Sequence, residues 1–381
     1  MSSNPQETMT SRERIQKTIA RQPVDRVPMD FGIHFSTGIS MFAYWNLREY
    51  LGLPTDHIEM CDCTQCLARV DQDILERFHI DTLLLNPPWP RTRLWNPRGK
   101  YRFHVPERFQ PELREDGSWV FQSPSQSMRM PAGGFFFDGA WPGFWDMPEE
   151  ERLALFARRA EYIFKETDKF TLMMGFSAYF DSIDMACDML TDPDMVKADL
   201  GKRLEQQITY FDHVNELMGP YLGAIEVNGD MGTQADAMCS PASFEECCYP
   251  FLKRFCAHVH DTSDIKIFLH SCGSVSKLLP FIVDAGVDIL NPVQISAANM
   301  DPRMLKQKFG GKLAFWGGGC DCQTVLGAKD ADAVRENVKE LMGVFKPGGG
   351  FVFNQVHNIM GNVPPENVVA MFDTAYENAF Y

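Results

Sequence analysis

Short apolar runs alternate along this chain with longer amphipathic stretches. Runs of this kind are typical of buried parallel strands, and the amphipathic stretches are typical of helices. The apolar runs predict strands at residues 27–32, 81–85, 170–176, 222–228, 265–270, 287–292, 313–316 and 351–354. The helical patterns include residues 150–167, 240–261, 274–285 and 330–345, and a last helix that starts near Pro364-Pro365 and runs to the C-terminus.

Eight strands alternating with helices predict an α/β fold of the (β/α)8 TIM barrel class. We expect residues 1–381 to form one barrel domain with a helical extension at its N-terminus. Residues 86–147 interrupt the alternation after the second strand and are rich in Pro, Arg, Trp and Phe, with a small hairpin predicted around 119–122. This insertion is either a lid over the barrel mouth or a packed excursion with no role in catalysis.

Polar side chains follow five consecutive predicted strands at the point where each strand ends. In a TIM barrel these carboxyl ends form the active-site face. The residues are Glu226, Asn228 and Asp230; His270 and Cys272; Asn291 and Gln294; Cys320 and Cys322; and Asn354 and His357. We expect the functional site at this end of the barrel.

The sequence His270-Ser271-Cys272 predicts a metal site. Residues two apart on a strand face the same side, so His270 and Cys272 can reach one ion, and Cys320 can join them from a neighbouring strand end. One imidazole and two thiolates suit Zn²⁺, and three protein ligands leave one position open. The alternative for His270 and Cys272 is a hydrogen-bonded buried histidine beside a core cysteine. Cys322 competes with Cys320 for the third position.

The fourth metal position has four candidates: Glu226, Asp230, water or a substrate atom. Glu226 is otherwise a candidate general acid, with a pKa set by its burial. Asp230 is otherwise a loop cap or salt-bridge partner. His357 is a candidate for donating a proton or holding a substrate oxygen, and its alternative is a hydrogen bond to a loop carbonyl.

The remaining polar residues at the strand ends are interpreted as substrate-binding. They are Asn291, Gln294 and Asn354, together with Asp230 if it binds no metal.

Composition narrows the class of protein. The 36 basic and 51 acidic residues give a net charge of −15, which argues against a general nucleic-acid binder or a protein that binds anionic membranes. No apolar run has the length of a membrane span, residues 1–14 carry no signal-peptide core, and the 11 cysteines are interpreted as reduced thiols, so we expect a cytoplasmic protein. The 29 Phe and 21 Met are core residues or, in part, the lining of a soft pocket for a flat or methylated substrate.

A second cysteine cluster, Cys61, Cys63 and Cys66, has no partner histidine or cysteine pair at zinc-finger spacing. We interpret these residues as exposed or packed thiols. We expect them at the start of a helical stretch that continues to His79.

Several segments resemble the uroporphyrinogen decarboxylase superfamily. Residues 12–15 (RERI) and 22–28 (QPVDRVP) are similar to its opening. The segments similar to its methyltransferase-type branch are 267–274 (IFLHSCGS), 286–294 (GVDILNPVQ), 317–321 (GGGCD), 353–359 (FNQVHNI) and 362–367 (NVPPEN). The resemblance covers nearly the whole chain and implies a (β/α)8 barrel.

The resemblance to the decarboxylases themselves is incomplete. They carry an arginine-rich MRQAGR segment after the opening, and this chain has Met29-Asp30-Phe31-Gly32-Ile33-His34 there instead. The zinc-dependent corrinoid methyltransferases of the superfamily bind zinc through an H-x-C pair and a distant cysteine, a pattern that falls on His270, Cys272 and Cys320. This branch also implies a corrinoid protein as partner, and the family resemblance is compatible with a homodimer.

The leading hypothesis is a zinc-dependent methyltransferase that moves a methyl group from a methoxylated aromatic substrate to Co(I) of a corrinoid protein. Zinc would act as a Lewis acid on the ether oxygen, and Glu226 or His357 would protonate or orient that oxygen. In one alternative, zinc activates a thiol that accepts a methyl group from methyl-cobalt. The others are a decarboxylase of the superfamily and a non-catalytic binding barrel.

Overall fold

The computed structural model describes residues 7–122, 127–139 and 147–381. The helices among these residues are α1 (Ser11–Ile19), α2 (Met41–Tyr50), α3 (Gln72–Arg77), α4 (Glu149–Glu166), α5 (Ile183–Thr191), α6 (Pro193–Met218), α7 (Pro241–Cys247), α8 (Tyr249–Thr262), α9 (Leu279–Asp284), α10 (Pro302–Phe309), α11 (Ala331–Phe345) and α12 (Pro365–Glu377). The strands are β1 (Met60–Asp62), β2 (Leu67–Ala68), β3 (Thr92–Trp95), β4 (Phe103–Pro106), β5 (Glu112–Leu113), β6 (Trp119–Gln122), β7 (Ser127–Met130), β8 (Asp138–Gly139), β9 (Leu172–Ser177), β10 (Ala224–Asn228), β11 (Lys266–His270), β12 (Ile289–Asn291), β13 (Ala314–Trp316) and β14 (Phe351–Val352).

The main sheet contains six parallel strands in the order β14-β13-β12-β11-β10-β9. Most residues of the six strands are buried, as expected for parallel strands that are covered on both faces. The main exception is β9, where Met174, Gly175 and Ser177 are at least partly exposed. The register pairs Asn228 with His270 and His270 with Asn291. The carboxyl ends of neighbouring strands therefore lie side by side.

Two short extended segments join the edges of this sheet. At one edge, Phe353 N donates to Pro28 O (2.8 Å) and Asp30 N donates to Phe353 O (2.9 Å). Asp81 N then donates to Met29 O (2.8 Å), and the segment from Asp81 bonds to β9 through Phe170 N (3.0 Å to Asp81 O). The hydrogen bonds thus run around all eight predicted strand positions, as the predicted TIM barrel requires.

The first two predicted strands are much shorter than expected. Residues 27–32 and 81–85 form isolated bridges at Met29 and Thr82 rather than continuous strands. In the first segment Pro28 has no N–H to donate, and Gly32 turns the chain with a φ of +91°. The predicted helix at 240–261 is divided into α7 and α8, since Pro250 cannot donate within a continuous helix.

The lower end of the barrel, where the strands begin, is closed by α1. Ile15 and Ile19 of this helix pack with Phe170, Phe268 and Trp316 in one buried cluster. The burial of these side chains fixes the helix across the barrel axis.

A buried ion network lies beside α1. Arg14 Nη1 contacts Asp81 Oδ1 (2.6 Å), Arg26 Nη1 contacts Asp81 Oδ2 (2.7 Å), and Arg14 Nε contacts Asp25 Oδ1 (2.7 Å). Arg14, Asp25 and Arg26 belong to the two segments that resemble the superfamily opening. The role of that opening here is therefore to hold α1 and the first two strand segments together.

The insertion after the second strand forms two small antiparallel sheets, β3–β4 and β5–β6–β7–β8. The predicted hairpin at 119–122 is confirmed as β6 paired with β7. Trp95 contacts Phe42 of α2 and Trp119 of β6 edge to face, which anchors the insertion to the rest of the chain. Residues 123–126 and 140–146 of the insertion lie outside the described residues, and its role as a lid stays a prediction.

The prediction of a helical stretch from Cys61 to His79 is wrong over most of that range. β1 and β2 occupy its first part, and the only helix in it is α3. Asp62 Oδ2 accepts a hydrogen bond from Gln65 N (2.7 Å), and Cys66 has a φ of +50°. This local turn competes with helix formation.

Candidate metal centre and active site

Three potential metal ligands meet at the carboxyl ends of the barrel strands. His270 ends β11, Cys272 follows it, and His357 lies beyond β14; their ligand atoms are all within 4.8 Å of one another. His270 Nε2 and Cys272 Sγ are 3.6 Å apart. Tetrahedral zinc with Zn–N near 2.05 Å and Zn–S near 2.3 Å would separate these atoms by about 3.6 Å. The His270–Cys272 pair therefore fits a zinc ion without a change in this distance.

The imidazole of His270 is oriented by Asn291. His270 Nδ1 lies 2.8 Å from Asn291 Oδ1, and Asn291 Nδ2 donates to Trp316 O (3.1 Å). Because the bond to Trp316 identifies the amide nitrogen, the amide oxygen accepts a hydrogen bond from His270 Nδ1–H. The lone pair of His270 is then on Nε2, which faces Cys272.

The protonation of the three ligands suits metal binding. Burial lowers the pKa of His270. Burial also lowers the pKa of His357 to about 4, so both imidazoles are neutral near pH 7. Burial and Asp230 raise the pKa of the Cys272 thiol. A bound cation would therefore displace the thiol proton.

Cys320 does not belong to this group among the described residues. Its side chain is fully buried in the main hydrophobic cluster, while the rival thiol of Cys322 donates to His357 O (3.3 Å). The assignment of Cys320 as a metal ligand stays a prediction. In the structure His357, which was predicted as a catalytic residue, is the third potential ligand.

Glu226 lies deeper in the barrel and is 3 % exposed. Its Oε1 is 3.0 Å from His34 Nε2, and its Oε2 accepts from Gly175 N (2.9 Å). Burial opposes ionisation most strongly, but the hydrogen bonds from His34 and from the Gly175 N–H lower the pKa of Glu226 below its usual value. Glu226 is thus an ionised acceptor with both oxygens engaged.

Sequence reasoning did not identify His34 as a site residue. The histidine is 192 positions from its partner Glu226 and follows a segment too short to form a strand. The sequence did contain one indication that His34 matters, because residues 29–34 are where the chain departs from the arginine-rich decarboxylase pattern.

Two of the predicted substrate-binding residues lie at the mouth. Asp230 Oδ1 accepts from Cys272 N (2.8 Å) and is 3.8 Å from His270 Nε2, with a side chain 55 % exposed. Gln294 Oε1 accepts from Gly273 N (2.7 Å). Both residues are therefore close to the loop that carries Cys272.

The other two, Asn291 and Asn354, are fully buried. Asn354 Nδ2 donates to Asp30 O (3.0 Å), and Asn291 bonds to His270 and Trp316. Their role in substrate binding stays a prediction.

A TIM barrel with potential histidine and cysteine ligands at its carboxyl-terminal face has the architecture in which barrel enzymes place their active sites. Residues 170–378 match the family described as Uroporphyrinogen decarboxylase (URO-D). The match spans more than half of the chain, and the protein belongs to this family. Glu226, His270, Cys272 and His357 lie within the matched region, and His34 lies outside it.

Solved structures share the fold: 48 chains match this one. One of them, a methyltransferase from Methanosarcina mazei, is 16 % identical in sequence with a TM-score of 0.59, and the alignment covers 97 % of this chain and 99 % of that chain. No curated protein matches the sequence. Among the described residues, no helix combines the length and apolar character needed to cross a bilayer.

Proposed function

We propose that this protein is a zinc-dependent methyltransferase that transfers a methyl group from a methoxylated aromatic substrate to Co(I) of a partner corrinoid protein. The observation that carries the proposal is the group formed by His270, Cys272 and His357, whose spacing fits zinc. A methyltransferase from Methanosarcina mazei with the same fold supports the reaction class.

Zinc bound here would supply Lewis acidity toward the ether oxygen, which is otherwise a poor leaving group. His270, Cys272 and His357 would hold the ion and leave one position for a substrate atom. Cys272 and His357 are only half-buried, so this position is reachable from the barrel mouth. Both the substrate and the corrinoid partner would approach from that side.

The composition of the group favours ether cleavage over thiol activation. A site with His270, His357 and one thiolate carries one negative charge less than a site in which Cys320 replaces His357. Zinc in the first site is therefore the stronger Lewis acid. The two-thiolate site would better suit the activation of a thiol cosubstrate.

Glu226 serves as an anionic acceptor in this proposal. Its oxygens already accept from His34 and Gly175, and its pKa is lowered, so it is poorly suited to protonate a leaving oxygen. It holds a proton at His34 Nε2 and places a negative charge near the metal ligands.

The first test is the zinc content of the purified protein, measured by elemental mass spectrometry. We expect about one zinc per chain. His270→Ala should lose most of this zinc. His258→Ala is the control and should keep it, because His258 lies at the surface, where it bonds to Asp212. Protein that takes up no zinc when zinc is supplied would contradict the proposal.

The second test follows the methyl group. Methoxybenzoates are incubated with the protein and a Co(I) corrinoid protein, and the visible spectrum reports methylation of cobalt. Substrate-dependent loss of Co(I), absent in His270→Ala, is the expected result. Methylation of a thiol from methylcobalamin, without any reaction of methoxyarenes, would favour the opposite direction of transfer.

A further inference from the structure

A chain of hydrogen bonds that passes through Ser36 connects Glu226 to the metal-ligand candidate His270. Glu226 Oε1 is 3.0 Å from His34 Nε2, and Ser36 N donates to His34 Nδ1 (3.0 Å). Ser36 Oγ donates to Asn291 Oδ1 (2.8 Å), and the same oxygen lies 2.8 Å from His270 Nδ1. This series of hydrogen bonds thus connects Glu226 of β10 with His270 at the end of β11.

The donors and acceptors of this chain have defined directions. Because Ser36 N donates to His34 Nδ1, the His34 proton that points to Glu226 is on Nε2. At the other end, Asn291 Oδ1 accepts from both Ser36 Oγ and His270 Nδ1. With this oxygen held on two sides, His270 keeps Nε2 free for a metal.

The groups in this series of hydrogen bonds cannot exchange their partners for water without a large cost in free energy. His34 is 4 % exposed, Ser36 3 % and Asn291 0 %. A buried polar group that loses its partner carries the full cost of its desolvation. The imidazole of His270 is therefore held in one tautomer and one orientation by groups that no substrate at the mouth would touch.

We infer that His34, Ser36 and Asn291 are positioning residues of the metal centre, with Glu226 as the anionic end of their chain. The inference rests on the proposed function for the identity of the metal as zinc. His34 and Ser36 belong to the N-terminal segment, outside the family match at 170–378. This segment therefore completes the support of a ligand that lies more than 230 residues further along the chain.

The test measures metal binding in the absence of substrate. Zinc affinity is obtained by competition with a chromophoric chelator, and the visible spectrum of the Co²⁺-substituted protein reports ligand geometry. We expect Asn291→Leu to weaken zinc binding by about 10- to 100-fold. Ser36→Ala removes one hydrogen bond and should weaken it roughly fivefold. Both should alter the Co²⁺ spectrum, and Ser36→Thr, which keeps the hydroxyl, should restore affinity and spectrum.

Ser40→Ala is the matched control. Ser40 is in the same segment and is buried, and its hydroxyl has no hydrogen-bond partner among the described residues. Its removal should therefore leave zinc affinity and the Co²⁺ spectrum unchanged. If Asn291→Leu fails to fold, Ser36→Ala compared with Ser36→Thr decides the question.

Two results would overturn the inference, and they differ in what else they imply. If Ser36→Ala binds zinc like Ser40→Ala with an unaltered Co²⁺ spectrum while His270→Ala loses zinc, the positioning chain is wrong and the metal site stands. If His270→Ala also keeps full zinc affinity, the metal site and the proposed function fail together.

Discussion

Polar groups are buried at both ends of the barrel, but the cost of burying them is compensated differently. At the lower end, Arg14 and Arg26 surround Asp81, and Arg14 also pairs with Asp25. At the upper end, His270, His357 and Cys272 meet without any arginine or lysine among their hydrogen-bond partners in the described part of the chain.

The pKa shifts reflect this difference. Although burial opposes ionisation, the charges of Arg26 and Arg14 lower the pKa of Asp81, so the lower network is ionised and internally paired. At the upper end burial lowers the pKa of both histidines and raises that of Cys272, so the groups are neutral until a cation arrives. The first arrangement stabilises the fold, and the second is prepared to bind a ligand.

Removal of Asp81 should have the largest effect on stability. Asp81→Ala leaves Arg14 and Arg26 as buried charges with one partner fewer, and should lower the free energy of unfolding by about 3–5 kcal/mol. Urea unfolding of the metal-free protein measures this change. The control is Asp373→Ala, which breaks an exposed pair with Arg77 and should cost at most about 1 kcal/mol. Equal effects of the two substitutions would contradict the role of the lower network.

Substitutions of His357 and Cys320 separate the two possible third ligands. His357→Ala should weaken zinc binding by about 100-fold or more, since loss of one ligand affects the ion directly. Cys320→Ser should leave about one zinc per chain, because Cys320 is outside the ligand group. Chelator competition checks both. Loss of zinc in Cys320→Ser with retention in His357→Ala would establish the ligand set expected from the sequence.

The pH dependence of stability should differ at Asp62, a buried carboxyl that has no arginine partner among the described residues. Burial raises the pKa of Asp62 to about 7. Between about pH 4 and 7 the folded state then binds a proton that the unfolded state releases, so the free energy of unfolding falls as the pH rises. Asp62→Asn should remove this loss, a difference of about 3 kcal/mol between pH 5 and pH 8.

Urea unfolding at both pH values tests the Asp62 prediction. The lowered pKa of Asp81 acts in the opposite sense: its stabilisation is present above about pH 4 and is lost as the pH falls below that value. Stability curves of the wild type and Asp62→Asn that stay parallel from pH 5 to pH 8 would show that Asp62 is ionised throughout.

The smallest effect is expected at the rim. Asp230 lies 3.8 Å from His270 Nε2 and accepts from Cys272 N. Asp230→Asn keeps an acceptor but removes the charge from a half-exposed position, so zinc affinity should fall by less than tenfold. A loss as large as that of His357→Ala would instead identify Asp230 as a metal ligand.

The local sequence pattern was enough to predict the barrel class and to bring His270 and Cys272 together at one strand end. Their role as metal ligands stays a prediction. The alternation of apolar runs and helical patterns depends on local periodicity, and β9–β14 and the long helices formed close to where that periodicity placed them. His270 and Cys272 face one point because they are two residues apart at the end of one strand.

Which distant residues lie beside that pair depends on how the whole barrel packs. Gly317 and Gly318 have φ values of +93° and +80°, so the side-chain alternation of β13 is lost before Cys320, which packs into the core. His357 and His34 reach the site through loops whose directions depend on the closed barrel rather than on their own neighbours in sequence. A periodic pattern describes residues within one element, whereas a metal centre built from several loops depends on how the elements pack.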